Sequence, residues 1–234
     1  VPVWLGQEVG EDALRGAMLN TMGISYPDPA LGNRKSVTLS GVTGVQFDYE
    51  RYVYEVPYHY RLRILQGGGF GFLVCAWAER NRRDYDTALD EALERVKFEG
   101  SPAAPGEIEK LPYKERATRA LVLNQAGMHY FEAKNYGRAK ELYAAAYGTE
   151  QQPVYFENTI MAWSFLNEPE KALAFIEEQA GAHPDSWKLK AYRAQFQGRA
   201  GKTNEAVAGY EKLFADGYKN LEALTDYVRL LVKL

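Results

Sequence analysis

Ala139, Ala172 and Ala206 stand 33 and 34 residues apart, and four residues after each comes a large apolar side chain, Tyr143, Ile176 or Tyr210. Each alanine follows a polar turn, read as "AKNYGRA", "LNEPEKA" and "RAGKTNEA". A turn, a small residue and a helix at near-constant interval restrict the chain to a stack of helical hairpins. One such unit cannot bury its apolar face alone, and about three are needed for a stable stack. Pro153 stands just beyond the first unit and Pro184 near the end of the second.

The layout resembles the tetratricopeptide repeat (TPR). Leu123, Ala126, Gly127, Tyr130, Ala139, Tyr143 and Ala146 fit its pattern in the first unit. The second keeps Phe156, Trp163, Ala172, Ile176 and Pro184, with Ile160 where a small residue is usual. The third keeps Ala194, Ala206 and Tyr210, with Gln197 at the normally aromatic place and Phe196 beside it. Gly127 and Ala139 are expected where two helices of one unit cross closely, with Tyr130 and Tyr143 filling the space on either side. After Asn220, "LEALTDYVRLLVKL" reads as an amphipathic helix, either a cap or the first half of a fourth unit.

In the family this resembles, the first helices line a concave groove that holds a ligand. Carried onto this sequence, the groove holds Leu121, Asn124, Met128 and Phe131 from the first unit. Val154, Glu157, Met161 and Phe165 come from the second, and Lys188, Ala191, Gln195 and Arg199 from the third. Flexible, polarisable methionines suit varied apolar partners, and an extended peptide or an amphipathic helix suits such a groove. Some relatives grip a partner's terminal carboxylates with a lysine and asparagines. Here Asn124, Met128 and Glu157 occupy that region and Lys188 alone matches, so such a clamp is not expected.

The N-terminal half changes period. Residues 11–22 place Leu14, Ala17, Met18, Thr21 and Met22 on one helical side, and Gly23 ends the run. "VQFDYERY" alternates Val45, Phe47 and Tyr49 against Gln46, Asp48 and Glu50, and "YHYRLRIL" alternates likewise, with His59 and its neighbours expected on an exposed face. "FGFLVCAWA" reads as a central strand. "DTALDEALERVKF" returns to helical spacing, with Asp86 placed to cap it. Helix, about three antiparallel strands and helix make an α+β layer. Residues 10–98 resemble the PsbP/Mog1-like family through "TLSGVTGVQFDYE", "FLVCAWAE" and the closing "RVKF". That resemblance implies protein binding without shared catalytic residues, and a bacterial cell-envelope or periplasmic setting.

"EGSPAAPGEIEKLP", residues 99–112, mixes Pro, Gly and charge as a linker does. The expected organisation is an α+β domain over 1–98, a linker over 99–112, and a helical-repeat solenoid over 113–234. The chain starts at Val1, which suggests a processed or cut product whose upstream part is gone.

A net charge of −3 gives no reason to expect nucleic acid, and no apolar run is long enough to insert directly in a membrane. Cys75 is the only cysteine. "QGGGFGF" has no following helix and no Lys-Ser/Thr, so it reads as a hairpin turn rather than a phosphate loop. His59, His129 and His183 lack ligand spacing, and Arg80, Arg82 and Arg83 are too few for a basic patch. Asp48 and Glu50 share a strand face expected to be solvated. No catalytic, metal or cofactor site is expected. The leading function is a non-catalytic protein-interaction module. The alternatives are an accessory docking region of a larger enzyme, such as an envelope peptidase, and a small-molecule pocket fed by the abundant tyrosines.

Overall fold

The computed structural model describes residues 2–26, 31–81, 84–98 and 108–232, without the side chains of Asn33 and Ala182. An α+β layer precedes a run of helical hairpins. The first part comprises β1 (Pro2–Trp4), α1 (Glu11–Asn20), β2 (Leu31–Leu39), β3 (Val42–Val53), β4 (Val56–Gly67), β5 (Phe70–Glu79) and α2 (Tyr85–Glu94). Helices α3 (Tyr113–Glu132), α4 (Tyr136–Thr149), α5 (Pro153–Leu166), α6 (Pro169–Ala182), α7 (Trp187–Arg199), α8 (Thr203–Ala215) and α9 (Leu221–Leu231) follow.

The sheet is antiparallel throughout, in the order β1-β5-β4-β3-β2. It has more strands than the three or so expected, because the short β1 joins the edge of β5 and β2 precedes the strongest alternation. "FGFLVCAWA" does run centrally, between β1 and β4. The "QGGGFGF" stretch is the β4–β5 turn, where Gly68 and Gly69 take φ of 59° and 79°, a region that side-chain-bearing residues avoid.

One sheet face is apolar. Val45, Phe47, Leu62 and Ile64 pack against Leu14, Ala17 and Met18 of α1, and the same core continues into Ala120, Leu123, Ala126, Leu142 and Ala146 of α3 and α4. Arg119, buried at 5% exposure with no carboxylate partner among the described residues, donates to the carbonyls of Leu5 and Ala145. Burial lowers its pKa. The contacts divide the chain into Val1–Thr159 and Ile160–Leu234, a division inside α5. The break expected at 99–112 is therefore not where contacts thin, since α1 lies along α3. Residues 99–107 of that stretch fall outside the described residues, and Ile108–Lys110 make one 3-10 turn.

The opposite sheet face overturns the expectation of a solvated strand surface. Gln46, Asp48, His59, Arg61 and Arg63 are all buried, because α2 lies over them with carboxylates at four-residue spacing. Cross-strand register sets Gln46 opposite Arg63, Asp48 opposite Arg61, and Glu50 opposite His59. Arg61 Nε donates to Asp48 Oδ1 at 2.8 Å and Nη2 to Asp86 Oδ1 at 2.9 Å, while Nη1 lies 2.9 Å from Asp90 Oδ1. Arg63 donates to Gln46 at 2.9 Å and to Glu94 at 2.8 Å. His59 sits 3.6 Å from both Asp48 and Glu50, with its ring 5.1 Å from that of Tyr85. The hydrogen bond to Asp48 is the chief cause that raises the Arg61 pKa above its already high value. Asp86 thus pairs with Arg61 and does not cap α2, whose N-cap position is Asp84.

The hairpins repeat in backbone as well as in sequence. Lys134, Asn167 and Gly201, each between the two helices of one hairpin, take positive φ of 60°, 53° and 77°. In the first and third hairpins the chain reverses through paired bonds, Asn135 N–H to Tyr130 O and Lys202 N–H to Gln197 O. Ala139, Ala172 and Ala206 are fully buried. A Cβ on Gly127 would stand 2.7 Å from the Tyr143 ring, so glycine is what lets α3 and α4 cross. Tyr143 fills that crossing as expected. Tyr130 does not; its hydroxyl accepts a hydrogen bond from Gly10 N–H at 2.9 Å.

Candidate functional site

The first helix of each hairpin carries the residues expected to meet a ligand. In the Val1–Thr159 unit, the spacing of α3 leaves Met128 40% exposed, with Leu121 and Phe131 half-buried. On α5, Val154 is 51% exposed and Glu157 half-buried. Asn124 is only 6% exposed, because it is tied into a side-chain pair. Asn158 Nδ2 donates to Asn124 Oδ1 at 2.8 Å, and Asn124 Nδ2 lies 3.9 Å from Met128 Sδ. A paired amide retains further donor and acceptor capacity, which suits the N–H and C=O groups of an extended chain. Asn158 was not among the expected residues. Its signal was in the sequence, since it stands 34 residues after Asn124, the repeat interval itself.

The Ile160–Leu234 unit presents its own set. Met161 is 39% and Phe165 56% exposed, Lys188 is exposed, and Ala191 and Gln195 are half-buried. Gln195 Nε2 donates to Asp226 Oδ2 at 2.9 Å, and Arg229 lies 3.4 Å from the other oxygen of Asp226. Arg199 donates to the Ser164 carbonyl at 3.1 Å, with its guanidinium 5.3 Å above the Phe196 ring. Gln195, Arg199, Asp226 and Arg229 line a cleft of about 200 Å³. Asp226 and Arg229 were missed because α9 was read only for its apolar face.

A larger bay of about 970 Å³ lies within the first unit, between the end of the sheet and the N-terminus of α1. Ser36, Thr38, Thr43 and Gln66 line it, along with Arg15 and Arg138. Arg15 is paired with Glu11 and Asp12, and Arg138 with Glu141, so the bay offers an anion no uncommitted cation from these two. Gln66, in its hydrogen-bonded orientation, brackets the backbone of Val9.

Titratable groups crowd on the sheet face under α2, where Arg61 pairs with the buried Asp48 and with Asp86 and Asp90 of the helix, both half or more exposed. Burial pushes the Cys75 thiol up to about 11, which makes it a poor nucleophile at neutral pH. No group of His, Cys, Asp and Glu among the described residues is arranged to hold a metal ion. No described helix is long and apolar enough to cross a membrane.

No family model and no curated protein matches the chain. Among solved structures it is similar to the first TPR of Spaghetti (RPAP3), bound to the HSP90 peptide SRMEEVD. That match has 22% identity and a TM-score of 0.43, covering 50% of this chain and 96% of the other. The second TPR domain of human RPAP3, in complex with an HSP70 peptide, matches at 22% identity and a TM-score of 0.42, over 49% of this chain and 97% of that one. Yeast Tom70 matches at 23% identity and a TM-score of 0.40, over 48% of this chain and 23% of its own.

Proposed function

We propose that the chain is a non-catalytic interaction module that docks a peptide of a partner protein on the exposed first helices of its hairpins. The observation that carries the reading is Met128 beside the Asn124–Asn158 amide pair: an exposed, adaptable apolar contact next to the half-buried Asn158 amide. An extended apolar segment with its backbone free to bond is the occupant this combination favours. In the second unit, Met161 and Phe165 offer a similar apolar contact, with Lys188 at the other end of the set.

The α+β layer is proposed to be of the PsbP/Mog1-like kind. What supports this is its order of helix, antiparallel strands and helix, together with the motifs of residues 10–98.

The test is a display library of random dodecapeptides panned on the intact chain. Selected peptides should be apolar and extended, and Met128→Glu should weaken their binding at least about tenfold with the helical circular dichroism unchanged. Undiminished binding by that variant, and by Asn158→Ala, would overturn the reading.

A further inference from the structure

The apolar face of the sheet is not covered along its whole length. Cross-strand register sets its residues in rows: Phe47, Leu62 and Cys75, then Tyr49, Tyr60 and Trp77, then Arg51, Tyr58 and Glu79. The first row belongs to the core under α1, where Phe47 is 3% and Leu62 0% exposed. Beyond it Tyr49, Tyr58 and Tyr60 are half-buried, Trp77 is 62% exposed, and Arg51 and Glu79 are exposed. The Tyr60 ring stands 6.4 Å from that of Tyr49, tilted by 53°, and 6.5 Å from that of Tyr58, tilted by 46°. No hydrogen bond among the described residues engages the hydroxyls of these three tyrosines or the indole N–H of Trp77. Four aromatic side chains with uncommitted polar tips share one end of a sheet face. A contiguous surface of that kind marks a place of contact.

We propose that this aromatic end of the sheet docks a proline-rich segment of a partner protein in the polyproline II conformation. Hydrogen-bonding character is the first reason. The polar tips of the patch are three phenols and one indole, every one of them a donor. A proline-rich chain is the complement, because it presents carbonyls and has no N–H wherever proline stands. A saccharide carries a donor with each acceptor and needs amide or carboxylate acceptors beside the rings; in these two rows Glu79 alone could serve. Charge is the second reason. Arg51 and Glu79 close the patch with opposite signs, so the rings have no basic track beside them to follow the phosphates of a single-stranded nucleic acid. Shape is the third. Rings tilted by 46° and 53° leave notches rather than a plane on which a base or a sugar would lie flat. A pyrrolidine ring enters such a notch by its edge, and a polyproline II backbone is ordered before it binds, which lowers the entropy lost on docking. The surface shares no residue with the docking proposed for the hairpins and does not rest on it.

Titration of fluorescein-labelled decaproline with the intact chain, read as fluorescence anisotropy, tests this. Binding should saturate, and a glycine–serine decapeptide should show none. Trp77→Ala, at an exposed position, should weaken decaproline binding at least about tenfold. Tyr58→Phe keeps the ring and removes the hydroxyl, and should weaken it about threefold. Both variants should keep the circular dichroism of the parent chain. Met128→Glu should bind decaproline as the parent does, so failure of the hairpin docking and failure of this inference are read separately. Absence of saturation, binding that survives both Trp77→Ala and Tyr58→Phe, or binding lost in Met128→Glu would overturn the inference. So would cellohexaose or a twelve-nucleotide oligothymidylate that binds more tightly than decaproline and is lost in Trp77→Ala. A rise in decaproline affinity on replacing Pro27 and Pro29 together by alanine would also overturn it, since residues 27–30, outside the described residues, would then be the occupant.

Discussion

The sheet face under α2 and the first helices of the hairpins depart from the usual pattern of burial in opposite directions. Under α2, a polar row of strand residues is buried: Asp48, Arg61 and Arg63 are at 4–7% exposure. On the hairpins, Met128, Val154, Met161 and Phe165 are apolar and stand at 39–56%. The first departure is offset inside the fold, because Arg61 stands within ion-pair distance of three carboxylates at once. The second leaves apolar surface in contact with water. A buried charge with its partners in place is architecture, whereas exposed apolar side chains are where the proposed docking would act.

The contrast breaks most severely at Arg61. Arg61→Met removes the cation from Asp48, Asp86 and Asp90 and should cost about 3–5 kcal/mol in denaturant unfolding, because Asp48 stays buried without its guanidinium. A loss below about 1 kcal/mol would mean that water reaches the row. The Arg61 pKa is raised from an already strongly basic value, so its contribution is present at neutral pH and is lost only as pH rises through the folded value; neutral pH should not expose it.

That row also shows where sequence reading ran out. Strict alternation at Gln46, Asp48 and Glu50 located the strand and its faces correctly. Solvation was the wrong inference because the pattern is silent about what covers a face. The deciding signal lay 25 residues beyond Arg61, in the carboxylates of Asp86, Asp90 and Glu94 that share one side of α2. A short strand such as β1 has too few residues to show a period at all. The hairpins were legible because close helix crossing demands small residues at fixed places, and Gly127, Ala139, Ala172 and Ala206 are buried there. Asn158 stands one repeat interval after Asn124, but it falls one position past Glu157, the residue that the repeat pattern assigns to the groove.

The next test turns on Tyr143, which burial, with Glu132 nearby, pushes up to about 12. A raised folded-state value keeps the phenol protonated when the unfolded chain would lose its proton near 10. The stabilising contribution is therefore complete below pH 10 and disappears as pH rises toward about 12, a loss of about 2–3 kcal/mol. Tyr143→Phe should flatten that alkaline limb in urea titrations at pH 9 to 12. An unchanged limb would place the loss elsewhere.

Gly127→Ala sets a new Cβ 2.7 Å from the Tyr143 ring. The substitution should lower stability by about 1–2 kcal/mol despite alanine's better helix propensity. A gain in stability would show that α3 and α4 have room to separate. The smallest effect belongs to the exposed residues: Met128→Glu and Phe165→Glu should each change stability by less than about 0.5 kcal/mol while peptide binding falls. A large loss of stability from either would turn the proposed docking residue into a core residue.

Of the chain's four methionines, Met18 and Met22 belong to the apolar core of the α+β layer, and Met128 and Met161 stand on the hairpins. A carbon-13 methyl spectrum of Met-labelled protein, titrated with a library-selected peptide, therefore tests the central claim most directly. The account predicts that a soluble nitroxide broadens the Met128 and Met161 methyls and spares Met18, and that the peptide shifts Met128 while leaving Met18 in place. A peptide that binds without moving Met128, or a Met128 methyl as protected from the nitroxide as that of Met18, would contradict it.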